Sequence, residues 1–286
     1  MSTIWEEIRF KVIHSGSRLN MLIGINVAVF LVLGLLAIIE MLTTRQAALY
    51  TIITSYLVLP SSLPALLPRF WTPVTYMFLN SGILGFIFNM LWFFWIGQIF
   101  EEYLGAKKLL TLYILGGLVG AAVYILACAV FPLFHGIATV ATGSAACVMA
   151  IIVGTATLLP NYSIFMMFFG EVKLKWIGLV YVLLDVFAIV GPGSAVVFTH
   201  LGAALIGFIY IKQLRSGRDW GSAIGKVFAP KSKLKVVSKN TAKNVVNKPQ
   251  QDEIDNILDK ISKSGYDSLS KQEKETLFRA SKDDRS

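Results

Sequence analysis

Apolar residues in this chain gather into long, nearly unbroken runs instead of recurring every third or fourth position. Runs of that kind read as helices that cross a bilayer, where no face of the helix meets bulk water. They predict helices at roughly Met21–Leu42, Ile83–Ile99, Leu109–Val130, Gly143–Leu159, Trp176–Val190 and Ala195–Ile211. Several fall short of the ~20 residues that ~30 Å of hydrocarbon requires. Either those helices run past these limits or the protein thins the bilayer around itself. Six spans place both termini on one side. The expected fold is an all-α membrane protein, a six-helix transmembrane bundle followed by a small cytoplasmic helical pair.

Composition agrees with that pattern. The chain has 286 residues, 55% hydrophobic and 15% charged, and a soluble domain of this length needs more charge on its surface. Cys128 and Cys147 both fall inside apolar runs, so they are expected to pack as small apolar residues and to form neither a disulfide nor a metal site. The first apolar run begins after residue 20 and is too long for a signal peptide, so it is expected to stay as a helix. Positive charge sets the orientation. Arg9, Lys11 and Arg18, then Lys107 and Lys108, then Lys173 and Lys175, and a lysine-rich tail lie on one side, against Arg45 and Arg69 on the other. The excess puts both termini in the cytoplasm.

Residues 43–82 are too long for a simple connection and too apolar for a solvated one. With Tyr50, Tyr56, Phe70, Trp71 and Tyr76, this loop is expected at the membrane interface, where Trp and Tyr rings are favoured. The organisation reads as a cytoplasmic segment 1–20, a membrane domain 21–215, a basic linker 216–250 and a C-terminal module 251–286. Residues 231–248 carry six lysines and no acid, which suits either attraction to anionic lipid heads or a solvated spacer. Glu253–Ser264 reads as a helix with Ile254, Ile257, Leu258 and Ile261 on one face, stopped by Gly265. Ser270 and Glu273 form a capping box for a second helix carrying Leu277 and Phe278. Two helices of this size bury too little to be stable alone.

Polar side chains inside spans are costly, so each needs a reason. Asn89, Ser144, Asp185 and His200 stand out. At ~1.5 Å per residue, Asn89, Ser144 and His200 fall within roughly 10 Å of the extracytoplasmic surface, on three different helices. An amide donor, a hydroxyl after Gly143 and an imidazole at one depth suggest an oxyanion donor, a nucleophile and its base. Singly, each also suits plain helix packing or interhelical hydrogen bonding. Asp185 reads as an inward-facing structural or gating group. The small residues Gly202, Ala203 and Gly207 leave one face of the last core helix bare for close approach, as do Gly116, Gly117 and Gly120 on the third.

Over residues 60–215 the chain resembles the rhomboid family of intramembrane serine proteases. The resemblance rests on Trp71 with Thr75-Tyr76-Met77-Phe78-Leu79, on Phe88-Asn89-Met90, on Gly97 and on Glu101 to Gly105. It continues in Gly143-Ser144-Ala145 and in His200-x-Gly202-Ala203-x-x-x-Gly207. The C-terminal appendage is similar to one on some Bacteroidetes rhomboids, and that resemblance implies a bacterial inner membrane. The resemblance implies a serine endopeptidase that cleaves transmembrane proteins through a Ser144–His200 dyad, with Asn89 and the backbone around Gly143 supporting the oxyanion. It implies no cofactor and no metal, and as partners transmembrane substrates and membrane lipids, not nucleic acid. The chain departs from the family pattern at four places. In gapless register the family's serine falls on Ala145. The histidine four residues before Asn89 is Gly85, another histidine is Asn80, and the arginine after Trp71 is Thr72. Two readings follow: a protease using Ser144 and His200, and a proteolytically inactive rhomboid that binds transmembrane clients. The first is preferred, because His200, its small neighbours and a serine after Gly143 are all present. A solute transporter fits less well, since apart from Asp185 the core holds no ion-relay residue.

Overall fold

The computed structural model of the chain describes residues 16–135, 137–166, 170–190, 194–219 and 251–283. The chain divides into two units, Met1–Pro230 and Lys231–Ser286. Arg9, Lys11 and the lysines of 231–248 lie outside the described residues.

The first unit runs through α1 (Arg18–Thr44), α2 (Ala48–Leu57), the short α3 (Leu63–Leu66) and α4 (Thr72–Thr75), then α5 (Ile83–Leu104), α6 (Ala106–Val130), α7 (Ala145–Leu158), α8 (Leu174–Ala188) and α9 (Val197–Arg215). Two small antiparallel ladders join connections, β1 (Leu59–Pro60) with β2 (Val140–Ala141) and β3 (Ser163–Met166) with β4 (Gly170–Lys173). The six helices expected from the apolar runs are α1 and α5 to α9. Arg18–Thr44, Ile83–Leu104, Ala106–Val130 and Ser194–Arg215 are long and apolar enough to cross a bilayer. Together they make an all-α membrane bundle. Its outer surface is apolar: Leu31, Leu35, Ile39 and Leu42 on α1 and Leu184 and Phe187 on α8 are all exposed.

Charge at helix ends explains where the observed limits differ from the apolar runs. The helix α5 continues beyond Ile99 to Leu104, carrying Glu101 to the start of α1. There Glu101 Oε1 accepts from the Arg18 N–H at 2.8 Å, and its Oε2 accepts from the Ser17 hydroxyl at 2.6 Å. A carboxylate at a helix start satisfies backbone N–H groups that lack intrahelical partners and complements the helix dipole. Gly105 alone separates α5 from α6, and its φ of +85° is one that a residue without Cβ takes at no steric cost.

At the centre stands α7, in contact with α5, α6, α8 and α9. All its residues from Ala146 to Ile152 are buried. Its 14 residues span about 21 Å, less than a bilayer's hydrocarbon, but a helix walled in by protein has no lipid thickness to match. Small residues set the spacing. A Cβ on Gly120 would come within 2.6 Å of the Thr199 carbonyl oxygen, and one on Gly202 within 2.7 Å of Val123 Cβ. Gly116 faces Ala150 and Gly207 faces the Ala150 backbone.

The long first loop is only partly peripheral. Phe70 and Tyr56 are exposed, with the Arg69 guanidinium 4.6 Å above the Tyr56 ring and Trp71 Nε1 donating to the Tyr56 carbonyl at 2.9 Å. Tyr76, expected at the interface with them, is instead in the core. Its hydroxyl donates to the Gly117 carbonyl at 2.6 Å, and Met77 fills the space left by the missing Gly117 side chain.

The second unit is a helical pair, α10 (Gln251–Ser264) and α11 (Lys271–Asp283), around buried Ile257 and Leu269. Gly265, at φ +75°, ends α10. The capping box forms: the Ser270 N–H donates to Glu273 Oε2 at 2.7 Å and the Glu273 N–H to Ser270 Oγ at 3.3 Å. A hydrogen bond from Lys260, then those from Ser270, pull the half-buried Glu273 carboxyl down to about 2.

Candidate functional site

Gly143, at φ +108°, turns the chain into α7 and leaves Ser144 at the N-cap. The Ser144 backbone is already helical, and the Val148 N–H donates to its carbonyl at 3.0 Å, so the first turn is regular and has no extra residue. The Ser144 side chain is fully buried. Its Oγ accepts from Asn89 Nδ2 at 2.7 Å and donates to Asn80 Oδ1 at 3.0 Å. The same Asn80 oxygen accepts from the Ser144 N–H at 3.2 Å, so the amide of Asn80 caps α7 from outside.

The polar chain continues inward. Asn80 Nδ2 donates to Asn26 Oδ1 at 3.0 Å. Asn26, fully buried on α1, donates to the Tyr113 hydroxyl at 3.1 Å and to the Leu22 carbonyl at 2.9 Å. The Tyr113 hydroxyl donates to the Met77 carbonyl at 3.3 Å. Asn89, Ser144, Asn80, Asn26 and Tyr113 thereby tie α5, α7, the connection before α5, α1 and α6 into one network. Buried amides and hydroxyls are tolerated in an apolar bundle when their donors and acceptors meet each other in this way.

His200 belongs to a different group. Its Nδ1 lies 3.0 Å from Asp185 Oδ1, joining α9 to α8, with both side chains about a fifth exposed. The second carboxylate oxygen, Asp185 Oδ2, is buried without a hydrogen-bond partner. Of the residues expected in one site, the structure therefore joins Asn89 to Ser144 with Gly143 as the turn. His200 is hydrogen-bonded to Asp185, and Ser144 and His200 make no hydrogen bond to one another. Asp185 has the inward, interhelical placement expected of it.

The chemistry open to Ser144 follows from its partners. A serine becomes a nucleophile when a base takes its proton. Here the hydroxyl donates to an amide oxygen, which accepts hydrogen bonds but takes no proton near neutral pH. One of the two Asn89 Nδ2–H donors, the amide an oxyanion would need, is engaged by Ser144 Oγ. Among the described residues, no three His, Cys, Asp or Glu gather as a metal site would require.

Sequence reasoning missed Asn26 and Tyr113 and took Asn80 as the start of the Asn80-Ser81-Gly82 break before α5 and as a departure from a family pattern. A signal for Asn26 was present. It is a lone amide inside the apolar run of α1, the same criterion that singled out Asn89.

Comparison with known families gives two matches. A family model described as the Rhomboid domain matches residues 67–216, and one described as a family of unknown function (DUF6576) matches residues 242–283. No match is found among curated proteins. The first match contains every residue of the polar network except Asn26, and also contains Asp185 and His200.

Proposed function

Because the chain belongs to the rhomboid family, we propose that it is a proteolytically inactive member that holds transmembrane segments of client proteins. The observation that carries this reading is the bonding of Ser144: its hydroxyl donates to Asn80 Oδ1 and not to His200. Three further positions support it. Ala145 stands where the resemblance places the nucleophile, and on α7 it is turned ~100° from Ser144. Gly85 stands where the resemblance places an oxyanion-binding histidine. Asn80, at another histidine position, is part of the hydrogen-bonded seal. Loss of one oxyanion donor costs ~10²–10³ in rate, but loss of the nucleophile's base contact removes the first chemical step.

A second reading keeps the Ser144–His200 dyad. It draws on Asp185, whose contact with His200 Nδ1 leaves Nε2 as the nitrogen able to accept a proton. One experiment separates the two. In liposomes with a transmembrane reporter, the wild type and Ser144→Ala are expected to show the same absence of cleavage. A photo-crosslinker on the bundle should capture intact reporter in both. Reporter cleavage by the wild type that Ser144→Ala abolishes would establish the protease instead.

The lysine distribution supports both termini in the cytoplasm, and the likeness of the appendage to bacterial ones supports a bacterial inner membrane. A reporter that works only in the cytoplasm, fused after Gly217, is expected to be active, and a periplasmic reporter at that point silent. The opposite pair of results would invert the topology.

A further inference from the structure

The connection between α7 and α8 is a β-hairpin, and its outward face is not explained by the bundle. In β3 and β4, Ser163 pairs with Lys173, Ile164 with Val172, Phe165 with Glu171 and Met166 with Gly170. Alternation divides these residues between two faces. Ile164 and Val172 pack against the core. The other face presents Phe165, 78% exposed, beside Glu171 and Lys173. A two-stranded hairpin is marginal by itself in water, and among the described residues only one of its faces has protein to rest on.

Single exposed apolar side chains are ordinary; what sets Phe165 apart is its surroundings. Tyr162, at the start of the hairpin, and Trp176, just past its end, are both exposed, and the Lys175 ammonium lies 5.7 Å above the Trp176 ring. Aromatic rings interleaved with lysines form the pattern that settles at a membrane–water boundary. The level of the hairpin fits that boundary. Tyr162 meets the ring of Tyr103 near the end of α5, and Arg215 at the end of α9 donates to the Leu158 carbonyl at the end of α7. The hairpin thus begins where neighbouring helices finish. It also runs without a break into α8, whose Leu179, Val180 and Leu183 are exposed as part of the bundle's apolar exterior.

We infer that the β3–β4 hairpin is an interfacial anchor: its outward face lies in the headgroup layer, with Phe165 and, beyond the hairpin's end, Trp176 towards the acyl chains, Tyr162 flanking them against Tyr103, and Lys173 and Lys175 on anionic phospholipid headgroups. Glu171, across from Phe165, limits the depth, because a carboxylate stays in the hydrated layer while the ring beside it enters only the acyl boundary. The occupant of this face is therefore the bilayer itself. Attachment there fixes the start of α8 to one leaflet, which makes the position of α8 sensitive to the charge of that leaflet.

The test uses the full chain in nanodiscs, with the buried Cys128 and Cys147 replaced by alanine and one cysteine introduced for an environment-sensitive dye. Phe165→Cys places the dye in the anchor, and Ser163→Cys places it on the same face with Phe165 intact. Both dyes are expected to be quenched by lipids spin-labelled near the headgroup and to resist aqueous iodide several-fold better than the unattached dye. Protection should rise when phosphatidylglycerol replaces phosphatidylcholine, and that rise should be lost with Lys173→Gln and Lys175→Gln together. Iodide quenching at Ser163 and Phe165 equal to that of the unattached dye, without quenching by the lipids, would overturn the anchor and leave the face to a protein partner. Lipid quenching that ignores lipid charge would overturn the lysine contacts.

Discussion

Gly207→Ala is expected to destabilise the membrane unit by about 1–3 kcal/mol or more, the cost of forcing a group into a filled interior. A Cβ at Gly207 would press on the carbonyl group and Cα of Ala150, and those atoms belong to the backbone of α7. A side chain can rotate away from such a contact, but a helix enclosed on all sides cannot. The two helices must move apart, and with them the contacts of Gly154 with Ile211 and Gly207 across the same seam. Gly34→Ala is the control, since nothing lies within 4 Å of a Cβ there and alanine is the better helix former. Thermal unfolding of the purified proteins in detergent decides it: a clear fall for Gly207→Ala and little or no fall for Gly34→Ala. Equal melting temperatures would mean that glycine spacing does not set the α7–α9 contact.

Asn80→Ala should be the most damaging substitution in the polar network. It strips partners from the Ser144 N–H, from the Ser144 hydroxyl and from Asn26 Oδ1. Each buried group left unpaired costs about 1–3 kcal/mol, less where water enters, so a total of about 2–4 kcal/mol is expected. Ser144→Ala should cost less, because it removes one donor and one acceptor together and strands chiefly Asn89 Nδ2. The order of the two is the informative part. If Ser144→Ala destabilises more than Asn80→Ala in the same melting assay, Asn80 is not the hub of the network.

The fold was legible to the extent that hydrocarbon demands apolar length. Every long apolar run is a helix, and the Asn80-Ser81-Gly82 break ends where α5 begins. The limits were obscured where charge serves a neighbour. Glu101 and Glu102 look like the end of α5 in the sequence, yet Glu101 lies inside the helix because it caps α1. The β3–β4 hairpin went unseen because its strands are four residues each and run straight into the apolar start of α8. In the site, relative level along the helices was readable at 1.5 Å per residue, and Asn89 and Ser144, read as level with one another, are hydrogen-bonded. Rotation about the helix axis was not readable. Equal depth leaves the facing direction open, and it is direction that turns Ser144 towards Asn89 and Asn80 while His200 meets Asp185. The asparagine at position 80 has a meaning only in three dimensions, where its one amide serves α7 and α1 at once.

Labelling with a serine-reactive fluorophosphonate tests the central claim most directly, comparing the wild type with Ser144→Ala combined with Ala145→Ser. The double substitution moves the hydroxyl one residue along α7, to the position where the resemblance places the family's serine. The account predicts no label on the wild type, since Ser144 donates to an amide oxygen. For the double variant it predicts weak label that disappears when His200→Ala is added, weak because Gly85 supplies no second oxyanion donor. Strong labelling of the wild type that is lost in Ser144→Ala would contradict it, and Ser144 would then be a working nucleophile.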